Sequence, residues 1–380
     1  MTTTGTRNSK KRRISRRWRL SKHGPNWSDL PLGILELIIG RLRWVDRIRI
    51  RAVCKAWSVP NTHIPAVHEL PWAMKFCWEY ASLSSVKGDC RLLDPLSREY
   101  VVEEGSRGIE CRVFRDAKPC ASLYGWVLFK VCHSIEKEIT SLFLYSPFTT
   151  EVIKLPHLGE PPMFQVATFA LNVSSPKCTI FLLWNKYGTI YIKLCSAGDC
   201  SWKTFTFDGF DRPNVAVDAA YTNGVFYCVF DKGQLGAFNV ELKEWTILVH
   251  HRPPGISFLD AKLIVSDADL RLLSHCSSLK LLKLDFSKMD WVYENDLNNH
   301  VLFIGCTSFS APAVGETSQL ANTIFASQTW LHPEVRFSGS TSPSRSRLYR
   351  NCVEAAECNM TWVAFPLGGI WRADDLIHAV

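Results

Sequence analysis

The pattern of apolar and polar residues changes character at about residue 70. Between Leu30 and Trp57 apolar residues recur every three or four positions, which is typical of amphipathic helices. Beyond Pro71 they form short runs that turn residues separate, with hairpin signals at Asn223-Gly224 and Lys232-Gly233. The chain is therefore predicted to be mainly β, with a small α module before the β region.

The helical region is predicted to contain two short helices. Leu30-Pro31 indicates the start of the first, because the fixed φ of proline suits a first helical turn. Its apolar face consists of Ile34, Leu35, Ile38 and Leu42. Asp46 can cap the second helix, and Val45 can pack on Ile50 as a hydrophobic staple. The apolar face of this helix consists of Ile50, Val53, Cys54 and Trp57. Two helices this short cannot bury so many apolar side chains by themselves, which predicts that another chain docks on them.

The β region carries a repeat. Intervals of 46, 43 and 46 residues separate Pro156, Trp202, Trp245 and Trp291. Each tryptophan opens or lies in the last strand of a group of about four. A repeat of about 40–50 residues with four strands is typical of β-propeller blades. Residues 71–380 have room for about six or seven such blades. A two-sheet β-sandwich is the alternative that the pattern leaves open.

Positive charge is concentrated in one segment. Residues 1–22 contain nine basic residues and no acidic one, whereas 35 basic and 36 acidic residues give the remainder a net charge of −1. A near-neutral body argues against nucleic-acid binding. Residues 1–26 are predicted to be a disordered basic tail. It is either a solvated tail without a targeting signal or a signal for a nuclear importer. The basic residues of the possible signal are Lys10, Lys11, Arg12, Arg13, Arg16 and Arg17.

Cysteine usage and hydropathy limit the class of protein. The 14 cysteines are scattered, and no pair has the C-x-x-C spacing of tight zinc ligands. No signal-peptide core is evident, so we expect reduced thiols in a protein of the nucleus and/or the cytoplasm. No apolar run approaches the roughly 20 residues of a membrane span. The sequence therefore predicts no bound metal, no cofactor and no membrane contact.

Sequence motifs of catalysis are missing from the chain. It has no nucleophile elbow, P-loop, zinc-protease helix or Rossmann glycine run. The nearest approaches to a ligand cluster are His250-His251 and the pair Asp267 and Asp269. Neighbouring histidines on a strand point to opposite faces, and a closely spaced acidic pair is usually part of a turn. We therefore expect a non-catalytic protein.

The helical region resembles an F-box, the module by which specificity subunits of ubiquitin ligases hold the Skp adaptor of a cullin complex. The resemblance spans Trp27 to Trp57 and rests on L-P-x-x-I-L-x-x-I-I-x-x-L followed by V-C-K-A-W. It implies that the chain binds a Skp-type adaptor and, through it, a cullin–RING complex. The residues that it places at this contact are Leu30, Pro31, Ile34, Leu35, Ile38, Leu42, Ile50, Val53, Cys54 and Trp57.

A second resemblance covers most of the β region. Residues 141–156 look like an element of plant F-box proteins that carry a KIB-type β-propeller domain. Further matching segments follow in the right order at 125–126, 201–202, 224–227, 301–305 and 322–325. The implied domains are a tail (1–26), an F-box with its linker (27–70) and a KIB-type β-propeller (71–380). The implied function is that of a substrate-recognition subunit of an SCF ubiquitin ligase, whose propeller binds an unknown target protein.

The sequence leaves two other functions open. The propeller could bind or hydrolyse a small ligand such as a glycan, with the helical segment purely structural. Alternatively, an F-box protein could block its partner through the propeller without causing its degradation.

Overall fold

A computed structural model describes most of the β region and one helix. The described residues are 30–41, 70–82, 85–93, 100–102, 117–132, 139–159, 163–172, 175–210, 214–266, 269–275, 279–326, 346–348 and 359–363. Contacts divide the chain into two units, Met1–Pro65 and Ala66–Val380. Each unit is described by itself.

In the first unit the structure describes the helix α1, Leu32–Arg41. The carbonyl of Pro31 accepts the backbone N–H groups of Ile34 at 2.9 Å and Leu35 at 3.1 Å. The helix thus begins directly after the proline, where the sequence indicates a start. The second predicted helix lies outside the described residues, so the two-helix module stays a prediction.

The described strands of the second unit, in chain order, have the following bounds. The first three are β1 (Trp72–Ser82), β2 (Ser85–Leu93) and β3 (Tyr100–Val102). The next four are β4 (Ala117–Leu123), β5 (Trp126–Cys132), β6 (Ile139–Tyr145) and β7 (Val152–Lys154). They are followed by β8 (Val166–Asn172), β9 (Ser175–Lys186), β10 (Thr189–Ser196) and β11 (Lys203–Asp208). Then come β12 (Ala216–Thr222), β13 (Val225–Phe230), β14 (Leu235–Asn239) and β15 (Glu244–Val249).

The remaining strands begin beyond residue 261. Four of them are β16 (Lys262–Ser266), β17 (Asp269–His275), β18 (Leu279–Asp285) and β19 (Asp290–Glu294). The last five are β20 (His300–Ile304), β21 (Ser308–Pro312), β22 (Ile324–Ala326), β23 (Ser346–Leu348) and β24 (Asn359–Val363). A short 3-10 helix, Gly315–Leu320, lies between β21 and β22.

The described strands form five sheets. Sheets 2, 3 and 4 are antiparallel meanders of β4–β7, β8–β11 and β12–β15. In sheet 1 the strand order is β24-β1-β2-β3, so that a strand from the end of the chain pairs with the first three. Sheet 5 has eight strands in the order β19-β18-β17-β16-β21-β20-β22-β23. It divides into a regular meander, β16–β19, and an irregular half, β20–β23. The described strands thus make six four-stranded units, within the predicted range of six or seven.

The first strands of sheets 3, 4 and 5 lie side by side with their starts on one face. The backbone N–H of Ala216 on β12 donates to Oε1 of Gln165, beside the start of β8, at 3.0 Å. The backbone N–H of Leu263 on β16 donates to Oδ2 of Asp218 on β12 at 2.9 Å. We call this the start face. The opposite surface, where the first hairpins of sheets 3, 4 and 5 turn, is the turn face.

Contacts near the end of the chain join the last sheet to the first. Strand β24 pairs with β1, with Val363 opposite Trp72. The thiol of Cys306, between β20 and β21, hydrogen-bonds to the hydroxyl of Thr361 on β24. Apolar side chains of sheet 5 also pack in one cluster with Leu70 and with Ala73 of β1. Six consecutive units that return to the first make a propeller-like ring, unlike the two facing sheets of a sandwich.

The hydrophobic core is distributed between neighbouring sheets. One cluster joins sheets 2 and 3, a second joins sheets 3 and 4, and a third joins sheets 4 and 5. The repeated tryptophans belong to these contacts. The indole N–H of Trp202 donates to the carbonyl of Pro156 at 3.0 Å, across the 46-residue interval noted in the sequence. Trp245 lies in β15 and Trp291 in β19, the outermost strands of their four-stranded units.

Candidate partner-binding surfaces

Helix α1 presents an apolar strip to the surface. Ile34 is 47% exposed and Leu37 64% exposed, while Pro31 is exposed and Ile38 half-buried. These four residues follow one face at helical spacing, and we call them the helix stripe. Leu37 is not among the residues predicted to contact the adaptor, although its position three residues after Ile34 is a usable signal.

The other predicted adaptor contacts have different surroundings. Leu30 is half-buried, and Leu35 is only 2% exposed. The remaining ones, Leu42, Ile50, Val53, Cys54 and Trp57, lie outside the described residues. The same is true of the basic cluster Lys10, Lys11, Arg12, Arg13, Arg16 and Arg17. The roles of these residues stay predictions.

A network of amide side chains ties sheets 3 and 4 together at the start face. Oε1 of Gln165 accepts the backbone N–H of Asn185 at 3.1 Å. The amide of Asn185 donates to the carbonyl of Asn214 at 2.9 Å. The amide of Asn214 donates in turn to Oε1 of Gln234 at 2.8 Å. Because these bonds join strand starts to turn residues, they hold the loops of this face in fixed positions.

The long connection between sheets 4 and 5, residues 250–261, is held by side chains of sheet 5. The phenol of Tyr293 donates to the carbonyl of Pro254 at 3.1 Å. Lys280 Nζ lies 2.8 Å from the carbonyl of Gly255, and the hydroxyl of Ser274 donates to the carbonyl of Ser257. Three polar anchors therefore order a segment that has no regular secondary structure.

A cleft of about 360 Å³ lies between this connection and the turn that joins β13 to β14. Its volume falls within the range of about 300–1,000 Å³ that is usual for ligand sites. Ile256 and Phe258 on its wall are buried, whereas Leu259 is 67% exposed. The basic side chains of the lining are Lys232 and Arg252. The cleft can thus offer positive charge and apolar surface together.

Polar groups also lie between the first strands of the sheets. Asp218 is 7% exposed. Burial raises the pKa of this carboxyl above its ordinary value, although the Lys262 ammonium and the N–H groups of Leu263 and Ala219 partly offset this effect. A buried carboxyl that carries a backbone hydrogen bond fits a structural role in joining sheets 4 and 5.

Four of the described cysteines are poor nucleophiles. Burial raises the pKa of Cys195 to about 12, and it also raises the pKa values of Cys178, Cys228 and Cys306. Since the thiolate is the reactive form, such thiols behave as small apolar side chains.

The structure describes three of the four residues in the two candidate ligand pairs. Asp269 Oδ2 lies 2.6 Å from Lys283 Nζ and 3.7 Å from the Arg271 guanidinium, and Asp267 lies outside the described residues. His250 and His251 are both exposed beyond the end of β15, with ring centroids 6.4 Å apart. Within the described ranges, no three His, Cys, Asp or Glu residues are grouped as metal ligands would be. In the same part of the chain no helix has the length and apolarity to cross a bilayer.

Comparisons with known proteins bear on the fold and on the kind of protein. The sequence matches the family model described as KIB1-4 beta-propeller over residues 100–346. The F-box/kelch-repeat protein At1g57790 of Arabidopsis thaliana is 23% identical over 310 residues, which cover 79% of this chain and 82% of that protein. The F-box protein At3g56470 of the same plant is 26% identical over 293 residues, covering 75% of this chain and 74% of the relative.

A solved structure of a neuraminidase-like protein from A/bat/Guatemala/164/2009 is also similar. It has a TM-score of 0.33 and 12% identity, and the match covers 50% of this chain and 57% of that one. Similarity this weak supports no conclusion about this chain.

The family match and the names of the relatives agree with the architecture. Both plant relatives are named F-box proteins, and no enzymatic family is indicated. The resemblance to plant F-box proteins with a KIB-type propeller is confirmed, and the β-sandwich alternative is not supported. Because the family model covers well over half of its length, the chain belongs to the KIB1-4 β-propeller family.

Proposed function

We propose that this protein is the substrate-recognition subunit of an SCF ubiquitin ligase, with no catalytic activity of its own. The observation that carries the proposal is the helix stripe, a row of apolar side chains on α1 in a chain whose relatives are named F-box proteins. The helix stripe binds a Skp-type adaptor, which links the protein to a cullin–RING complex.

Burial of the helix stripe supplies a physical reason for binding. Ile34 and Leu37 are about half or more exposed. Covering a side chain of this size stabilises a complex by roughly 1.5–3 kcal/mol when it is fully removed from water. An adaptor with an apolar groove can cover both of them with one surface, as in other helix-in-groove contacts.

The propeller in this proposal presents a target protein to the ligase. Its loops are held by the amide network and by the anchors of residues 250–261. Rigid sheets that position loops are a common basis for recognition. Catalysis is positional, because the subunit raises the local concentration of the target beside a conjugating enzyme bound elsewhere in the complex. The proposed location is the nucleus and/or the cytoplasm.

Co-purification with a Skp-type adaptor tests the proposal. The variant Ile34→Asp/Leu37→Asp places two charges in the helix stripe, and we expect it to recover at least about tenfold less adaptor than the wild type. Leu242→Asp is the matched control, because Leu242 is 62% exposed on the turn face of the propeller. This control should recover adaptor normally. Equal recovery with the double variant would contradict the proposed contact.

A further inference from the structure

The cleft between residues 250–261 and the β13–β14 turn carries positive charge that its own carboxylate does not neutralise. Among the described residues Arg252 has no ion-pair partner. Lys232, 60% exposed, has Asp231 as its partner, at a distance of 3.6 Å. The other oxygen of Asp231 accepts the backbone N–H of Val215 at 3.0 Å. Two basic side chains and one carboxylate line the cleft, which leaves one positive charge for a negatively charged ligand.

Exposed apolar side chains lie on the cleft wall and next to Asp231. Leu259 is 67% exposed on the cleft wall. Val215 is 49% exposed and bonds to Asp231 through its backbone. A ligand that fits must therefore combine negative charge with an apolar side chain. A peptide with an acidic residue near a Leu, Ile or Phe has this combination.

The walls of the cleft are already in place. A Cβ atom on Gly233 would lie 2.2 Å from Cβ of Arg252, so the turn and the connection pack as closely as a glycine allows. The bonds from Tyr293, Lys280 and Ser274 fix the connection on its other side. A site that is ordered before binding loses less conformational entropy when the ligand arrives.

We infer that this start-face cleft binds an acidic, apolar-flanked segment of the target protein, with Arg252 and Lys232 as its charge partners. That the ligand belongs to a target of the ligase rests on the proposed function. The chemistry of the site does not depend on it. The cleft lies on the start face, where the β13–β14 turn meets residues 250–261.

The experiment uses the full chain and a display library of random short peptides. We expect selected peptides to be enriched in Asp or Glu next to a large apolar residue. Their affinity should fall at least about tenfold for Lys232→Glu/Arg252→Glu. The neutral pair Lys232→Gln/Arg252→Gln should give a smaller loss, and it guards against misfolding of the charge-reversed variant. Thermal melting of all variants should match the wild type.

Two exposed lysines of the turn face supply the control. Lys203→Glu/Lys288→Glu makes the same change in net charge far from the cleft and should leave peptide affinity unchanged. Peptides without acidic enrichment, or peptides whose affinity is the same for the cleft and control variants, would overturn the inference. So would a single-stranded oligonucleotide that competes as well as an acidic peptide, because it would assign the basic pair to phosphate binding.

Recovery of the Skp-type adaptor, measured on the same proteins, separates the two claims. Adaptor binding without selection of acidic peptides would refute the cleft and leave the proposed function standing. Selection of acidic peptides without adaptor binding would support the cleft and refute the proposed function. Both together, with adaptor recovery unaffected by Lys232→Glu/Arg252→Glu, are the expected result.

Discussion

At the residue scale, the repeated tryptophans depend on small neighbours. Gly236 on β14 lies under Trp245, and a Cβ atom there would be 2.1 Å from the indole ring. We expect Gly236→Ala to destabilise the fold by about 1–3 kcal/mol, because the ring must move out of its place between the sheets. Urea unfolding of the variant and the wild type measures this loss.

A second variant identifies the cause of that loss. Gly236→Ala combined with Trp245→Leu removes the ring that the new methyl group meets. The double variant should therefore lose less free energy of unfolding than the two single variants lose in sum. Additive losses would show that the indole ring is not what excludes a side chain at position 236.

Asp218 predicts a pH dependence of stability. Burial raises the pKa of its carboxyl in the folded protein, so the folded state holds this proton more tightly than the unfolded chain does. The contribution of Asp218 to the free energy of unfolding therefore falls as pH rises from about 4 through the raised pKa. Asp218→Asn keeps an oxygen that can accept the N–H of Leu263 but has no such titration.

Urea unfolding at several pH values measures this effect. The free energy of unfolding of Asp218→Asn relative to the wild type should increase between about pH 4 and pH 7. A difference that stays constant over this range, or that decreases, would contradict the assigned direction of the pKa shift.

At the element scale, the order of residues 250–261 is predicted to depend on anchors from sheet 5. Lys280→Met removes the donor to the carbonyl of Gly255. One hydrogen bond of this kind contributes about 0.5–1.5 kcal/mol, so amide exchange in residues 255–257 should quicken about two- to tenfold. Lys283→Met is the control, because Lys283 lies on the same strand but pairs with Asp269. Equal exchange in both variants would argue against the anchor.

Much of the element order was predictable from local signals. Asn223 and Gly224 have φ values of 51° and 81° in the turn between β12 and β13, as an Asn-Gly hairpin signal requires. The tryptophan repeat located the outermost strands because each unit has the same core position to fill. The irregular half of sheet 5 had no such signal. Its β21 pairs in parallel with β16, a contact that depends on distant segments.

The candidate surfaces were less predictable than the strands. The cleft joins Lys232 to Arg252 across two strands, β14 and β15. Lys232 was noted in the sequence only as part of a hairpin signal, and Arg252 belongs to no motif. His250-His251 drew attention in the sequence as a possible ligand pair, and the structure places them exposed just before Arg252. On α1, spacing identified Ile34 and Ile38 but did not reveal that Leu35 is buried while Leu37 is exposed. Burial is a property of the folded chain, so spacing alone could not assign it.

At the scale of the whole molecule, charge is divided between a basic segment and a near-neutral remainder. We predict that deletion of residues 1–22, with their nine basic residues, shifts a fluorescently tagged protein from the nucleus toward the cytoplasm. The nuclear-to-cytoplasmic fluorescence ratio measures the shift. An unchanged ratio would show that this segment is a solvated tail without a targeting signal.

The central claim is that the molecule joins a ligase adaptor at one site to a target at another. The most direct test is target turnover in cells that contain either the wild type or Ile34→Asp/Leu37→Asp. Proteins captured by both forms should have longer half-lives in cells with the double variant, and proteasome inhibition should remove the difference. Captured proteins whose half-lives are equal in both cells would contradict the account and favour a protein that blocks its partner without degradation.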